Sequence, residues 1–234
     1  MSVVTPLESL NVPRKELSQS AARVRLEISE AGRLIHDAAS LSIGRGYVGA
    51  VRFGDNNAFV AGGFTPRTTA VLPSAAVYNV VTAQLTEGEP AAIIKGIAPV
   101  IAALLAARAD IQSVIYTQSP NLTAFAVARR SLPVVYGFPL LRRTPHDIPV
   151  TRGQRHLDGA AVLEALARNP KSPAVLLANR GVLVFGSEPL AALSRVVISL
   201  EEAAGITINA VTLGGAQPFP ATAHAAVQQG AAFE

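Results

Sequence analysis

The 234-residue chain contains no cysteine and no tryptophan. The absence of cysteine excludes a thiol nucleophile, a disulfide framework and a zinc–thiolate site. Charge is scarce too: Asp, Glu, Lys and Arg make up 15% of the residues, against 50% that are apolar. A disordered chain has the opposite balance, because it lacks the apolar surface that offsets the entropy of ordering. The chain also lacks an uninterrupted apolar run of about 20 residues, the length that spans a bilayer. Ile93 to Ala107 is interrupted by Lys95 and ended by Arg108, and Leu190 to Ala210 carries Arg195, Glu201 and Glu202. The opening stretch MSVVTPLESLNVPRKEL has no basic segment followed by an apolar core, the pattern of a secretory signal. The expectation is a cytoplasmic protein with no membrane partner, whose surplus apolar surface is covered in subunit interfaces.

Lysine occurs only at Lys15, Lys95 and Lys171, so arginine supplies almost all of the 20 basic residues and the net charge of +4. The arginines are scattered, with one local cluster at Arg142–Arg143 and Arg152 and Arg155 downstream. A nucleic-acid surface would show a basic stripe with interleaved aromatics, and only 5% of the residues are aromatic. The basic balance points to a small anionic partner and not to nucleic acid.

Residues 1–17 mix proline and charge without a period and read as an arm; 18–217 read as one domain and 218–234 as a tail. Val24, Ile28, Ala31, Ile35 and Ala38 recur at spacings of four and three, one face of an amphipathic helix, which Ser18 or Ser20 can cap. Val48 to Phe53 and Ala58 to Gly62 flank Gly54-Asp55-Asn56-Asn57 and predict a β-hairpin. Strands are expected within Val71–Val81, over Ile111–Thr117 and over Val134–Tyr136. Ala174–Leu177 and Val182–Phe185 flank a tight turn at Asn179-Arg180-Gly181. Helices are expected over Ala91–Ala107 with Pro99 starting or bending the main turn, over Leu122–Arg130, over Leu157–Arg168, and from Ser187-Pro189 to about Leu213. Alternating helices and hairpins predict an α/β fold, a mixed sheet sandwiched by helices.

Three blocks carry a family resemblance. Arg108-Ala-Asp-Ile-Gln-Ser-Val-Ile-Tyr-Thr-Gln-Ser119 resembles the class II aldolase/adducin pattern of a helix ending in R-P-D, then a strand closed by H-x-H. Ala174-Val-Leu-Leu-Ala-Asn-Arg-Gly-Val-Leu-Val-Phe-Gly186 is similar to that family's L-L-x-N-H-G hairpin. Leu200-Glu-Glu-Ala-Ala204, continuing to Leu213-Gly214, is similar to its last long helix. The likeness runs over residues 20–217. It implies a three-layer α/β/α sandwich with a mixed, largely antiparallel sheet, assembled as a homotetramer with sites at subunit interfaces.

The family's enzymes hold a divalent metal on three histidines to stabilise an enediolate. Here the two positions of H-x-H fall on Tyr116 and Gln118, and the third falls on Arg180. The catalytic Glu falls on Ile97. In the early phosphate-binding stretch, about Tyr47 to Arg52, the Asn and Ser positions hold Val48 and Ala50. No cofactor is therefore expected. His36, His146, His156 and His224 match no ligand position; His146, beside Asp147, is the best acid–base candidate.

Around the former metal position Arg180 can hold a carboxylate or enolate, Tyr116 can donate to an oxyanion and Gln118 can fix a carbonyl. The candidate catalytic residues are Tyr116, Arg180 and His146; the candidate substrate-binding residues are Gln118, Arg52, Asn179 and Tyr47. Three readings stay open. One is a metal-free lyase-type enzyme (decarboxylase, dehydratase, isomerase or cyclase) acting on a small carbonyl or carboxylate compound. Another is a non-catalytic pseudoenzyme that serves as a binding module or partner subunit, with Arg180 paired to a carboxylate such as Glu87 or Glu89. The third is a lyase with relocated metal ligands.

Overall fold

The computed structural model describes residues 14–38, 40, 46–54, 57–64, 75–136, 143–144, 146–153, 157–220 and 225–226, without the side chains of 14–22 and 64. Asp55, Asn56, Pro73, Arg142, Arg155, His156 and His224 lie outside the described residues, as do the side chains of Ser18 and Ser20. The elements are α1 (Arg14–Asp37), β1 (Tyr47–Phe53), β2 (Ala58–Phe64), β3 (Ala75–Asn79), β4 (Leu85–Glu87), α2 (Ala92–Ala107), β5 (Ser113–Thr117), α3 (Pro120–Ala128), α4 (Gly159–Ala167), β6 (Ala174–Leu177), β7 (Gly181–Gly186) and α5 (Leu190–Ala210), ending in a 3-10 turn at Val211–Leu213.

The strands form one sheet in the order β4-β3-β2-β1-β5-β7-β6. Every ladder is antiparallel; the parallel component is a bridge between Val150 and Leu176. Successive strand residues face opposite sides of a sheet, and here both sides are covered. Tyr47, Val60, Val77, Ile115, Leu176 and Val184 point into a core shared with α1, α3 and α5. Val48, Ala50, Phe59, Tyr78, Val114, Tyr116, Leu183 and Phe185 point into a second core against α2 and α4. Double coverage explains why the strands read as near-continuous apolar runs without clean alternation.

The α1 face is buried at Val24, Ile28, Ala31 and Ile35 and ends before Ala38, which is exposed. The helix itself begins at Arg14, inside the stretch read as an arm. α2 continues through Pro99 without a break. A proline removes the bond to the carbonyl four residues back, here that of the exposed Lys95, which water can satisfy. No strand forms over Val134–Tyr136; the neighbourhood keeps only a bridge between Leu132 and Ile148. The short edge strand β4 was not expected, because its three residues carry no readable period. α5 starts at Leu190 with Pro189 at its N-cap and no side-chain cap, so Ser187 does not fill that role.

Among the described residues, Leu190–Leu213 is long and apolar enough to cross a membrane. Its inner face is spent on the core, with Leu190, Leu193, Val197, Leu200 and Ala204 buried.

Candidate active site

The β6–β7 turn is built to approach β5. Asn179 adopts φ 61° and Gly181 φ 149°. A Cβ at Gly181 would run into the carbonyl oxygen of Thr117, so only glycine fits there. Tyr116 and Thr117 lie opposite Leu183 and Val182 in the β5–β7 ladder, which brings the residues after β5 beside the turn that precedes β7.

Tyr116, Gln118 and Arg180 therefore converge. The Tyr116 hydroxyl donates to the carbonyl of Arg180 at 3.2 Å. The Gln118 amide donates to the same carbonyl at 2.9 Å and to the Tyr116 hydroxyl at 3.3 Å. Tyr116 is buried and Gln118 and Arg180 are half-buried. What meets Tyr116 and Gln118 is the main chain of Arg180. Arg180 also lines a small cleft with Thr151, Arg152, Asp158 and Ala178, of about 20 Å³, room for about one water. The Thr151 hydroxyl accepts the Ala178 amide at 3.0 Å, and Asp158 caps α4 by accepting the Ala160 amide at 2.9 Å. Asn179, exposed at the tip, accepts from Arg129 Nε at 3.0 Å.

These residues do not fit a divalent metal. A guanidinium has no lone pair to offer, and the Tyr116 hydroxyl and Gln118 amide are turned as donors toward a carbonyl. Among the described residues no three His, Cys, Asp or Glu side chains are grouped to hold a metal ion.

The other candidates stand elsewhere. Arg52 is 9% exposed and lies near the far end of the β1–β5 ladder, where the neighbouring Val51 faces Ser113 while Val48 faces Tyr116. Its guanidinium donates to the carbonyls of Leu105, Arg108 and Ile111 at 2.6, 3.1 and 2.9 Å. It closes the C-terminal end of α2, whose last carbonyls have no partner within the helix and carry partial negative charge. Burial holds its pKa below the usual arginine value, only partly offset by Asp110.

Tyr47 points to the opposite face of the sheet from Tyr116, with its hydroxyl donating to the Ile28 carbonyl of α1. Burial pushes that phenol far above its ordinary range. His146 borders an open trough of about 420 Å³ with Asp147, Arg168 and Asn169. The segment from Pro149 to Thr151 pairs with β6 in parallel, so His146 sits toward the start of β6 and the Arg180 cleft at its end. Glu87 is on β4, five strands from β7, about 24 Å at the spacing of neighbouring strands, and no arginine side chain bridges that gap within one chain. Ile97 is packed in the core beneath α2.

Sequence reading missed Thr151, Arg152, Asp158 and Arg129 as neighbours of this turn. One usable signal was present: Asp158 just before the apolar pattern of α4 is an N-cap signature, which ties it to that helix's first turn.

The Class II Aldolase and Adducin N-terminal domain model matches residues 65–208. No curated protein sequence matches the chain. Among solved structures it is similar to an L-fuculose 1-phosphate aldolase, at 20% identity, TM-score 0.73 and coverage of 89% of this chain and 95% of the other. It is similar as well to the L-fuculose 1-phosphate aldolase from Glaciozyma antarctica PI12, at 15% identity, TM-score 0.71 and coverage of 92% and 84%. The third is YgbL, a putative aldolase/epimerase/decarboxylase from Escherichia coli, at 19% identity, TM-score 0.67 and coverage of 89% and 99%. At these identities the neighbours establish the fold, and the family model, which spans more than half of the sequence, establishes that the chain belongs to the class II aldolase and adducin N-terminal domain family.

Proposed function

We propose that this family member works without the divalent metal of its relatives, and that its Arg180 cleft binds a small carbonyl or carboxylate compound for lyase-type chemistry. The observation that carries the reading is the convergence of Tyr116 and Gln118 on the main chain of Arg180, a residue that lines the cleft. A guanidinium holds a carboxylate by two parallel hydrogen bonds. When a bond next to a carbonyl breaks, charge grows on oxygen, and a positioned hydroxyl such as Tyr116 stabilises it. That step requires Tyr116 to redirect its proton from the Arg180 carbonyl to the substrate. Asp158 uses one carboxylate oxygen in the α4 cap; the other is the proton acceptor within the cleft. In this reading the chain assembles as a homotetramer, which would cover Val81, Val211 and Leu213, exposed at 77%, 69% and 89%.

The same network favours a second reading. Tyr116 and Gln118 already spend their donors on the protein's own main chain, as expected of a binding module that has closed a dead site. The two are separated by titrating chelator-treated protein with acetate, pyruvate and oxaloacetate and following consumption of the two oxo acids. Binding that weakens at least about tenfold in Arg180→Ala, with turnover lost in Tyr116→Phe, supports the enzyme. Binding without turnover of any of them supports the module. No binding by either protein overturns the cleft as a site.

A further inference from the structure

The trough at the start of β6 carries one charge of each sign. Ser131, His146, Asp147, Pro149, Arg168 and Asn169 line it, and its volume is about 420 Å³. Small-molecule sites commonly enclose about 300–1,000 Å³. Arg168 donates to the Val150 carbonyl at 2.7 Å. That bond takes one of the five guanidinium N–H donors and does not neutralise the charge. Arg168 and Asp147 do not pair with each other, and neither has an ion-pair partner among the described residues.

The walls of the trough are held in place by the protein itself. Leu132 and Ile148 exchange amide-to-carbonyl hydrogen bonds at 3.1 and 2.9 Å, which fixes Ser131 beside the segment that carries His146 and Asp147. Asn169, 3% exposed, ties that segment down. Its amide nitrogen donates to the Thr144 hydroxyl and to the Asp147 carbonyl, both at 3.1 Å. Its amide oxygen is shut off from solvent and has no hydrogen-bond partner among the described residues. A buried acceptor left in that state is uncommon in folded proteins, and its unpaired partial charge favours a donor on the trough floor.

We infer that this trough binds a small amino acid, with the ammonium group at Asp147 and Asn169 and the carboxylate at Arg168. A lone anion there would meet the Asp147 carboxylate, and a lone cation would meet the Arg168 guanidinium. A zwitterion answers both charges and adds none. Its ammonium brings three N–H donors, and its carboxylate matches the guanidinium fork. The site lies at the opposite end of β6 from the Arg180 cleft and does not depend on it.

Titration of the full chain with glycine, β-alanine and 4-aminobutyrate, beside acetate and ethylamine, tests this. The readout is local: the ring-proton NMR signals of His146 at fixed pH, assigned by their loss in His146→Ala. The expected result is that one of the amino acids moves these signals with an affinity at least about tenfold above that of acetate or ethylamine. Asp147→Asn and Arg168→Gln should each weaken that binding about tenfold or more, at unchanged melting temperature. Arg33→Ala, a distant exposed control on α1, should bind as wild type does. Acetate or ethylamine moving the signals as tightly as the amino acids do, binding indifferent to Asp147 and Arg168, or signals that no amino acid moves overturns the inference. Each of those results leaves the Arg180 cleft untouched.

Discussion

The carboxylate of Glu201 on α5 accepts a hydrogen bond from the backbone amide of Leu122, in the first turn of α3, at 2.9 Å. Its other oxygen accepts the Asn121 amide at 2.8 Å. The N-cap residue of α3, Ser119, makes no side-chain cap bond, so a neighbouring helix supplies the cap. Glu201→Ala leaves two amide donors without their partner, and the expected cost is about 3 kcal/mol, since hydrogen bonds to a charged group contribute about 1.5–3 kcal/mol. Glu201→Gln keeps one acceptor and should cost less than half of that. Urea denaturation of both variants measures the difference.

The same carboxylate gives a pH prediction. Burial pushes the Glu201 pKa above the ordinary glutamate value, against the pull of the Asn121 and Leu122 amides. A raised folded-state pKa means that the folded protein takes up the proton before the unfolded chain as pH falls. The contribution is then fully present below the unfolded pKa and is lost as pH rises through the folded one. The stability difference between wild type and Glu201→Gln should therefore shrink as pH rises through the window just above the ordinary glutamate value. A difference that grows across that window would contradict the assignment.

Gly181→Ala should be among the most damaging single-methyl changes in the chain. It combines a φ of 149° with a Cβ driven onto the Thr117 carbonyl. The turn must move, and Arg180 with it. A loss of at least about 2 kcal/mol is expected, above the strain of about 1–2 kcal/mol for a lone left-handed residue. Gly54→Ala is the control, because its φ is 59° but a Cβ there meets nothing within 4 Å. Thermal unfolding of the two variants side by side decides whether the clash or the backbone angle dominates.

Gly181 also shows where sequence was informative. The run Ala174–Phe185 reads as two strands about a tight turn, and β6 and β7 fall there. The Gly54–Asn57 hairpin and the α1 face are equally plain, because turn residues and the helical period are local signals. The convergence of Tyr116, Gln118 and Arg180 was legible only through the family pattern, since residues 62 and 64 positions apart share no local period. Arg129 and Arg152 were invisible as site neighbours because a left-handed helix end and a loop placed them there. Tyr47 and Arg52 were singled out as the ends of the family's phosphate-binding stretch, and here each hydrogen-bonds backbone carbonyls inside the core.

Arg52→Lys tests that structural role. A lysine ammonium is a compact charge without the planar fork and is not expected to reach all three carbonyls that Arg52 serves at the end of α2. The Arg108 carbonyl keeps the Ile111 amide at 3.3 Å, but a buried carbonyl that loses its only donor costs about 1–3 kcal/mol. Stability should fall by that amount, while carboxylate binding at the Arg180 cleft stays within about twofold of wild type, well under 1 kcal/mol. Parallel denaturation and titration separate the two effects. A loss of binding with unchanged stability would restore Arg52 as a ligand contact.

His146→Ala tests the separation of the two concavities. The histidine lies near the start of β6 and the cleft near its end, with the four residues Ala174–Leu177 between them, about 13 Å of strand. A general acid or base must come within hydrogen-bond reach of the proton it moves, directly or through one water. From that distance His146 does not meet a ligand held by Arg180. Binding and any turnover at the cleft should therefore change by less than about twofold in His146→Ala, whereas Asp158→Asn should lower turnover and spare the fold, because Asn still caps α4. A loss of about tenfold or more in His146→Ala, with an unchanged melting temperature, would place the acid–base chemistry at the other end of β6.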